Sequence, residues 1–384
     1  MLPKYFDTDQ HLTEPPDFWT GRFSKKFAER EPKFMHHHSQ GPGWSWDGGN
    51  SVRPMGVVSV GGEDPRKIGN FKSFEEIDPG CYDPKKRVEV MDIDGAGAAL
   101  LFTNASIFFH SVPDDEFYKD CARAYNDAAF DWAAAGDAKR LFPGAMLPMN
   151  NLEPAMEEMR RAAKKGFKHF ISNRWPSGGP MPIEADDPLW ATAEETGMVM
   201  SVHGFGGGRI RAQAKFPTAT SPQAKLKGTA QFGAQSQELT AALRGAGLGS
   251  TQPLAAFIFS GVMDRFPKLK VALIETSIGW LPYFAEQMDA LWLQQRWLDP
   301  SPKLKQLPSE YIRSIYASFD REWLGVKYRE HVGVDNVLFG TDYPHIGNFY
   351  PHSRFFLELV MQGVAPEEQE KMLWSNAAAL YDAN

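Results

Sequence analysis

Eight short apolar runs alternate with helix-patterned segments along this chain, and that alternation limits the fold more than any other feature. The runs are Tyr5-Phe6, Ala98 to Phe102, Leu141 to Met146, Phe167 to Ile171, Met198 to Val202, Lys270 to Ile274, Ser314 to Phe319 and Asn336 to Phe339. Between them Lys85 to Asp94, Asp115 to Ala135, Glu153 to Lys165, Asp187 to Thr196, Gln252 to Arg265, Leu281 to Gln295 and Leu324 to His331 read as helices, with Gly136 and Gly166 as stops. Two further helices finish the chain. Fully apolar strands separated by helices belong to parallel sheets, and eight of them match an α/β fold of the (β/α)8 TIM barrel type better than a doubly wound sheet. Residues 1–384 read as one barrel domain with long insertions after the first and fifth strands, at about 12–80 and 204–250. The first insertion is rich in Pro, Gly, Trp and charge and is expected to be irregular. The second is expected to serve as a lid or an oligomer contact, because structureless loops of this length in a compact domain are usually functional.

Three of the runs close on metal-type residues: Asp7-Thr8-Asp9-Gln10-His11, Ser201-Val202-His203-Gly204 and Gly340-Thr341-Asp342-Tyr343-Pro344-His345. A barrel gathers its chemistry at the C-terminal edge of its strands, so clusters far apart in sequence become neighbours in space. Asp9 and His11 are two residues apart and project from the same face of a strand, with Gln10 on the other. They can reach one metal together, or form a hydrogen-bonded strand end. His203 ends a buried strand and needs a partner there, metal or otherwise. Asp342 is placed to hold a metal and to take a proton from metal-bound water. Glu275 closes the sixth strand and reads either as a salt-bridged carboxylate or as an acid/base group or second-metal ligand. His345 reads as a donor behind the ligands, a substrate contact or a turn-stabilising residue. Arg174, after the fourth strand, could pair with an anionic substrate group, or be solvated or internally paired. Glu14 reads as a loop-fixing residue, and His36-His37-His38 as part of a solvated loop.

Composition narrows the partners. A formal net charge of -7 and no long Lys/Arg stripe argue against nucleic acid and anionic membranes, leaving a small molecule. Cys81 and Cys121 are too few for a disulfide framework and match no zinc spacing, which fits a reducing cytoplasm. No apolar run approaches a membrane span of roughly 18 residues. The glycines after His203 lack the spacing of a nucleotide fingerprint.

Taken together, Asp7-x-Asp9-x-His11-x-x-Glu14-Pro15-Pro16-Asp17-Phe18-Trp19, Phe266-Pro267, Lys270 to Glu275, Gly279-Trp280-Leu281-Pro282, Gly340 to His345 and Asn376-Ala377 resemble the amidohydrolase superfamily. The branch is the one related to aminocarboxymuconate semialdehyde decarboxylase. The resemblance runs from residue 5 to about 381 and is weakest at 30–80 and 205–250. It implies a divalent metal at the barrel mouth held by Asp9, His11, His203 and Asp342, with zinc expected first and manganese or iron, one or two ions, as alternatives. Two departures add negative charge: Asp9 replaces the first histidine of a His-x-His pair, and Glu275 stands near the place of a strand-six histidine. The expected activity is hydrolysis or non-oxidative decarboxylation of a small carboxylated molecule, with Asp342, Glu275 and His345 as acid/base candidates and Arg174 as a substrate contact. The alternatives are a dinuclear iron or mixed-metal oxygenase, or a non-catalytic metal-binding partner of a related subunit. The family also implies a homo- or hetero-oligomer, and Trp44 and Trp46 offer apolar surface for that contact or for covering the barrel.

Overall fold

In the computed structural model, which describes residues 2–38, 41–50, 52–55, 58–64, 73–172, 174–203, 247, 249–298 and 304–383, eight parallel strands form the centre. They are β1 (Tyr5–Leu12), β2 (Ala96–Thr103), β3 (Leu141–Pro143), β4 (His169–Ser172), β5 (Val199–His203), β6 (Val271–Ile274), β7 (Tyr316–Phe319) and β8 (Val337–Phe339). Their order is β3-β2-β1-β8-β7-β6-β5-β4. The two ends of that order meet beyond β3, where Ala145 N donates to His169 O and Ile171 N to Ala145 O, each at 2.9 Å. The sheet therefore closes into the expected (β/α)8 barrel.

Local signals place the helices. α1 (Pro84–Asp94) starts on Asp83, whose carboxylate accepts from Lys85 N and Lys86 N, has Pro at its first position, and stops at left-handed Gly95. α2 (Asp115–Gly136), α3 (Leu152–Lys165) and α4 (Asp187–Thr196) follow, and α3 ends on left-handed Gly166 as its sequence predicts. The segment read as one helix from Gln252 to Arg265 is two, Thr251–Phe259 and Val262–Arg265, because Gly261 between them sits at φ +70°. Leu324 to His331 is likewise two short helices, Leu324–Lys327 and Arg329–Val332.

Phe6, Leu100, Phe102, Ile171, Val199, Ala272, Ile274 and Leu338 fill the barrel interior, with Leu380 and Tyr381 packed against them. A second, larger cluster lies between strands and helices. One irregularity in β1 decides what the site looks like. Asp7 pairs with Ala99 but Gln10 with Leu101, so β1 spends one residue more than β2 over this stretch. The bulge resets the alternation. Phe6 faces the interior below it, and Asp9 and His11 join the interior face above it.

The residues after β1 are not irregular throughout. Lys33–His37, Gly41–Ser45 and Arg53–Pro54 pair as an antiparallel sheet, and His36 and His37 lie in its first strand rather than in a loop. Trp44 is buried, edge-on to Trp19 at 4.5 Å, and Trp46 packs on Phe108 and Phe109. Trp44 is spent inside the chain, whereas Trp46 stays partly exposed. The long segment after His203 lies outside the described residues. Among the described residues no helix is long and apolar enough to cross a membrane.

Candidate metal centre

The ligand-type side chains converge at the C-terminal ends of β1, β5, β6 and β8. His11 Nε2 lies 3.1 Å from His203 Nε2 and 3.5 Å from Asp9 Oδ1, and His203 Nε2 lies 3.2 Å from that same oxygen. Asp342 Oδ1 is 3.5 Å from His11 Nε2. Donor atoms around one ion bonded at about 2.0–2.2 Å sit roughly 3.0–3.5 Å from one another, so Asp9, His11 and His203 fit a single divalent ion, while Asp342 approaches His11 alone of the three. Two imidazole nitrogens facing each other and a carboxylate oxygen, Asp9 Oδ2, buried with no hydrogen-bond partner point the same way.

Asp342 and His345 add a second observation. His345 Nε2 is 2.7 Å from Asn104 Oδ1, and Asn104 gives its own amide hydrogens to Thr13 Oγ1 and Val58 O. Nε2 therefore carries the hydrogen in neutral His345, and Nδ1 bears a lone pair. That lone pair lies 2.7 Å from Asp342 Oδ1, which makes no hydrogen bond. Two acceptors this close call for a cation or a shared proton between them. His345 also stacks on His11 at 3.7 Å. Ligand-type atoms thus group as Asp9, His11 and His203 on one side and His11, Asp342 and His345 on the other, with His11 common to both.

Charge is crowded here. Against the pull of burial, His203 and His11 hold Asp9 well below the usual carboxylate range. Burial opposes the charge of His203 too, yet Asp9, Glu275 and Asp342 raise it to about 9. Burial and the neighbouring imidazoles drop His11 to about 3, and burial drops His345 to about 3. Asp342 is pushed well up by burial and Asp9, and Glu275 by burial and Asp342. A bound cation relieves each of these carboxylate repulsions. Glu275 Oε2 is 3.7 Å from His203 Nε2, so the sixth strand delivers its carboxylate to the cluster. Glu275 (φ 57°) and Asp342 (φ 62°) both hold left-handed backbone, which non-glycine residues adopt at a cost and which turns these side chains inward.

Supporting residues lock the strand ends. Asp7, facing the helices, accepts from Thr341 N (2.9 Å), Thr341 Oγ1 (2.6 Å), Gln10 Nε2 (2.8 Å) and Asp9 N (3.1 Å), tying β1 to the residues after β8. Burial still pushes its carboxyl up to about 7. Gly340 is required by contact, since a Cβ there would lie 2.5 Å from that of Asp9. Arg87, buried in α1, donates to His11 O (2.7 Å), Gly80 O (2.7 Å), Cys81 O (3.1 Å) and Gln10 Oε1 (3.3 Å). Glu14 does fix a loop: its carboxylate takes Thr103 Oγ1, Ser106 Oγ, Ala105 N and Ser106 N. Arg321, after β7, is held by Asp320 at 2.9 Å and lends positive charge to Asp342.

Six of the seven site residues read from sequence come together: Asp9, His11, His203, Glu275, Asp342 and His345. Arg174 lies apart, beyond β4, against Tyr118. Asn104, Arg87 and Arg321 were not among the sequence candidates, and no motif marks them. A separate cavity of about 660 Å³, lined by Glu29, Lys33, Trp46 and Phe117 among others, contains none of these ligand-type residues.

The family model described as Amidohydrolase matches residues 7–383. A gamma-resorcylate decarboxylase from Polaromonas sp. (strain JS666) is 23% identical over 319 residues, covering 78% of this chain and 87% of that protein. A 2-amino-3-carboxymuconate-6-semialdehyde decarboxylase from Dictyostelium discoideum is 23% identical over 290 residues, covering 73% and 72%. The solved structure of a 5-carboxyvanillate decarboxylase from Novosphingobium aromaticivorans with bound manganese superposes with a TM-score of 0.66 at 16% identity, over 99% of this chain and 97% of that one. That likeness shows the common fold.

Proposed function

Because the chain belongs to the amidohydrolase family, matched over residues 7–383, we propose that it is a divalent-metal-dependent, non-oxidative decarboxylase of a small aromatic carboxylic acid. One observation carries the reading: Asp9, His11 and His203 meet at the barrel mouth with donor spacings of 3.1–3.5 Å and an unpartnered buried carboxylate oxygen, and Asp342 reaches the same His11 at 3.5 Å. The relatives named above act on carboxylic acids by removing carbon dioxide, which favours that route over hydrolysis. The mixed imidazole and carboxylate set suits manganese as well as zinc or iron.

Asp9, His11, His203 and Asp342 would hold the ion, which would supply a Lewis acid to bind substrate oxygens and draw off charge as carbon dioxide leaves. The remaining work falls to the chain's own groups. Departure of carbon dioxide leaves the electron pair of the broken bond on carbon, and a proton must replace it. Glu275, whose carboxyl burial and Asp342 push upward, is the group at the cluster placed to supply it. His345 is fixed through Asn104 with the lone pair of its Nδ1 toward Asp342, so on that side it accepts rather than supplies a proton. Arg174 is assigned to the substrate, away from the ion.

A second reading keeps its place because ligand-type atoms exceed what one ion needs: His11 belongs to two triads, and Glu275 stands 3.7 Å from His203. That surplus favours a dinuclear iron or mixed-metal oxygenase. A non-catalytic partner subunit would need no acid/base pair at all. The test is elemental analysis of protein purified without chelator, followed by assay of the manganese- and zinc-loaded forms with 2,6-dihydroxybenzoate and related acids for carbon dioxide release. One ion per chain with carbon dioxide release supports the decarboxylase. Two ions including iron, with dioxygen consumption, replaces it with the oxygenase, and metal binding without any turnover leaves the partner subunit.

A further inference from the structure

Three consecutive strand ends that the metal cluster does not use build a second polar group. Tyr118, in the first turn of α2, donates its hydroxyl hydrogen to Leu147 O at 2.8 Å, beyond β3. A carbonyl only accepts, so the single phenolic hydrogen is committed there. His110, in the 3-10 turn after β2, contacts the same phenol oxygen through Nδ1, and must therefore be the donor. Its Nε2 is left with a lone pair, and that atom is buried without a partner among the described residues. Only 8% of His110 is exposed, and burial together with the Arg174 charge holds its pKa down at about 3, so the ring is neutral.

Arg174 comes from the other side, two residues past the end of β4. Its guanidinium lies over the Tyr118 ring at 5.8 Å, with Nη2 3.5 Å from the phenol oxygen. Its Nε is also buried without a partner, and among the described residues no carboxylate pairs with it. Bracing α2 against the loops accounts for Tyr118 and Leu147. It does not account for a cationic N–H and a neutral imidazole lone pair left open in the same cluster.

These groups share the C-terminal mouth with the metal cluster. Ser172 pairs with Val202, so Arg174 leaves the barrel beside the strand that delivers His203. β2, β3 and β4 lie between β1 and β5, the strands that deliver Asp9, His11 and His203. A substrate held at the metal by one end has its far end free to lie over β2–β4.

We infer that the substrate carries a second acidic group remote from the metal, a carboxylate with a hydroxyl beside it, seated on Arg174 and His110. The carboxylate accepts from Arg174, and the hydroxyl donates to His110 Nε2. This inference rests on the decarboxylase reading for the end that binds the metal. No residue of the pair ligates the ion, and no bond changes there; the subsite orients the acid and selects for it.

The experiment is calorimetric titration of the manganese-loaded full chain with benzoate, isophthalate and 4-hydroxyisophthalate, for the wild type, Arg174→Gln and His110→Phe. The wild type is expected to bind isophthalate at least tenfold more tightly than benzoate, and 4-hydroxyisophthalate several-fold more tightly again. Arg174→Gln should erase the first gap while leaving benzoate within twofold of its wild-type affinity. His110→Phe should erase only the increment from the hydroxyl. Equal wild-type affinity for benzoate and isophthalate overturns the subsite without reference to any variant, and so does an Arg174→Gln chain that loses all three ligands alike. If the affinity pattern holds but no acid loses carbon dioxide, the subsite stands and the decarboxylase reading falls.

Discussion

Replacing Arg87 by Met tests how the site is held. The guanidinium is wholly buried and serves four acceptors: the carbonyls of His11, Gly80 and Cys81 and the side-chain oxygen of Gln10. It also lies over the Tyr343 ring at 4.8 Å, so one side chain braces the end of β1 that carries His11 and the loop carrying Asp342. Methionine fills comparable volume but donates nothing. Charge-assisted hydrogen bonds contribute roughly 1.5–3 kcal/mol each, and the desolvation of the guanidinium takes back a large part of four of them. Cys81 O keeps Thr13 N as a partner, which softens the loss at one of the four. A net destabilisation of about 3–5 kcal/mol follows, the range for breaking a buried charged network from one side. A chain of 384 residues has an unfolding entropy of roughly 0.8 kcal/mol/K, so about 4 kcal/mol is a fall of about 5 °C in Tm. Because His11 O is one of the acceptors, metal affinity should fall about tenfold as well, as it does when groups behind a ligand are removed. Scanning calorimetry of the metal-free protein and competition with a metallochromic chelator read the two effects separately. A Tm within about 1 °C of wild type together with unchanged metal affinity would refute the bracing role.

Asp342→Ala and His203→Ala should each give folded protein by far-UV circular dichroism with less than a tenth of the wild-type metal content, read by elemental analysis; full loading in either would sink the ligand assignment. Chelation should lower Tm by about 3 °C relative to protein at a free metal concentration 100 times its Kd, the equivalent of about 2.7 kcal/mol, with recovery on adding manganese. Glu275→Gln should keep its metal and lose about 100-fold or more in carbon dioxide release if the residue supplies a proton, whereas loss of an equivalent of metal makes it a ligand instead.

Strand ends were the legible part of this protein. His203 ends, and Asp342 follows, a short apolar run that the eightfold alternation marks as a barrel strand, so the fold itself brings them together. The pairing of Asp9 with His11 was legible from the period of two. Its direction was not. Unbroken alternation from Phe6 would put Thr8 and Gln10 inside and Asp9 and His11 against the helices; only the extra residue between Asp7 and Gln10 turns the ligands inward, and a bulge leaves no mark in residue type. The sheet at Lys33–His37 and Gly41–Ser45 was hidden for a related reason, because its core partners Phe34, Trp44 and Phe74 are scattered among glycines and prolines with no period to link them.

Arg87 and Asn104 show where local reading stops. In Pro84-Lys85-Lys86-Arg87 the charges look alike and all suit the solvated side of a helix, yet Arg87 alone turns inward, because the strand that ends at His11 exposes carbonyls that need a donor. Asn104 follows a buried strand and reads as a turn residue, but its amide hydrogens are taken by Thr13 and Val58, which fixes its oxygen as the acceptor for His345. The direction of the His345 lone pair, and with it the case for a cation at Asp342, therefore depends on residues more than 200 positions away in the chain. Ligand identity is written in strand ends, while ligand protonation is written in contacts that exist only after the barrel closes.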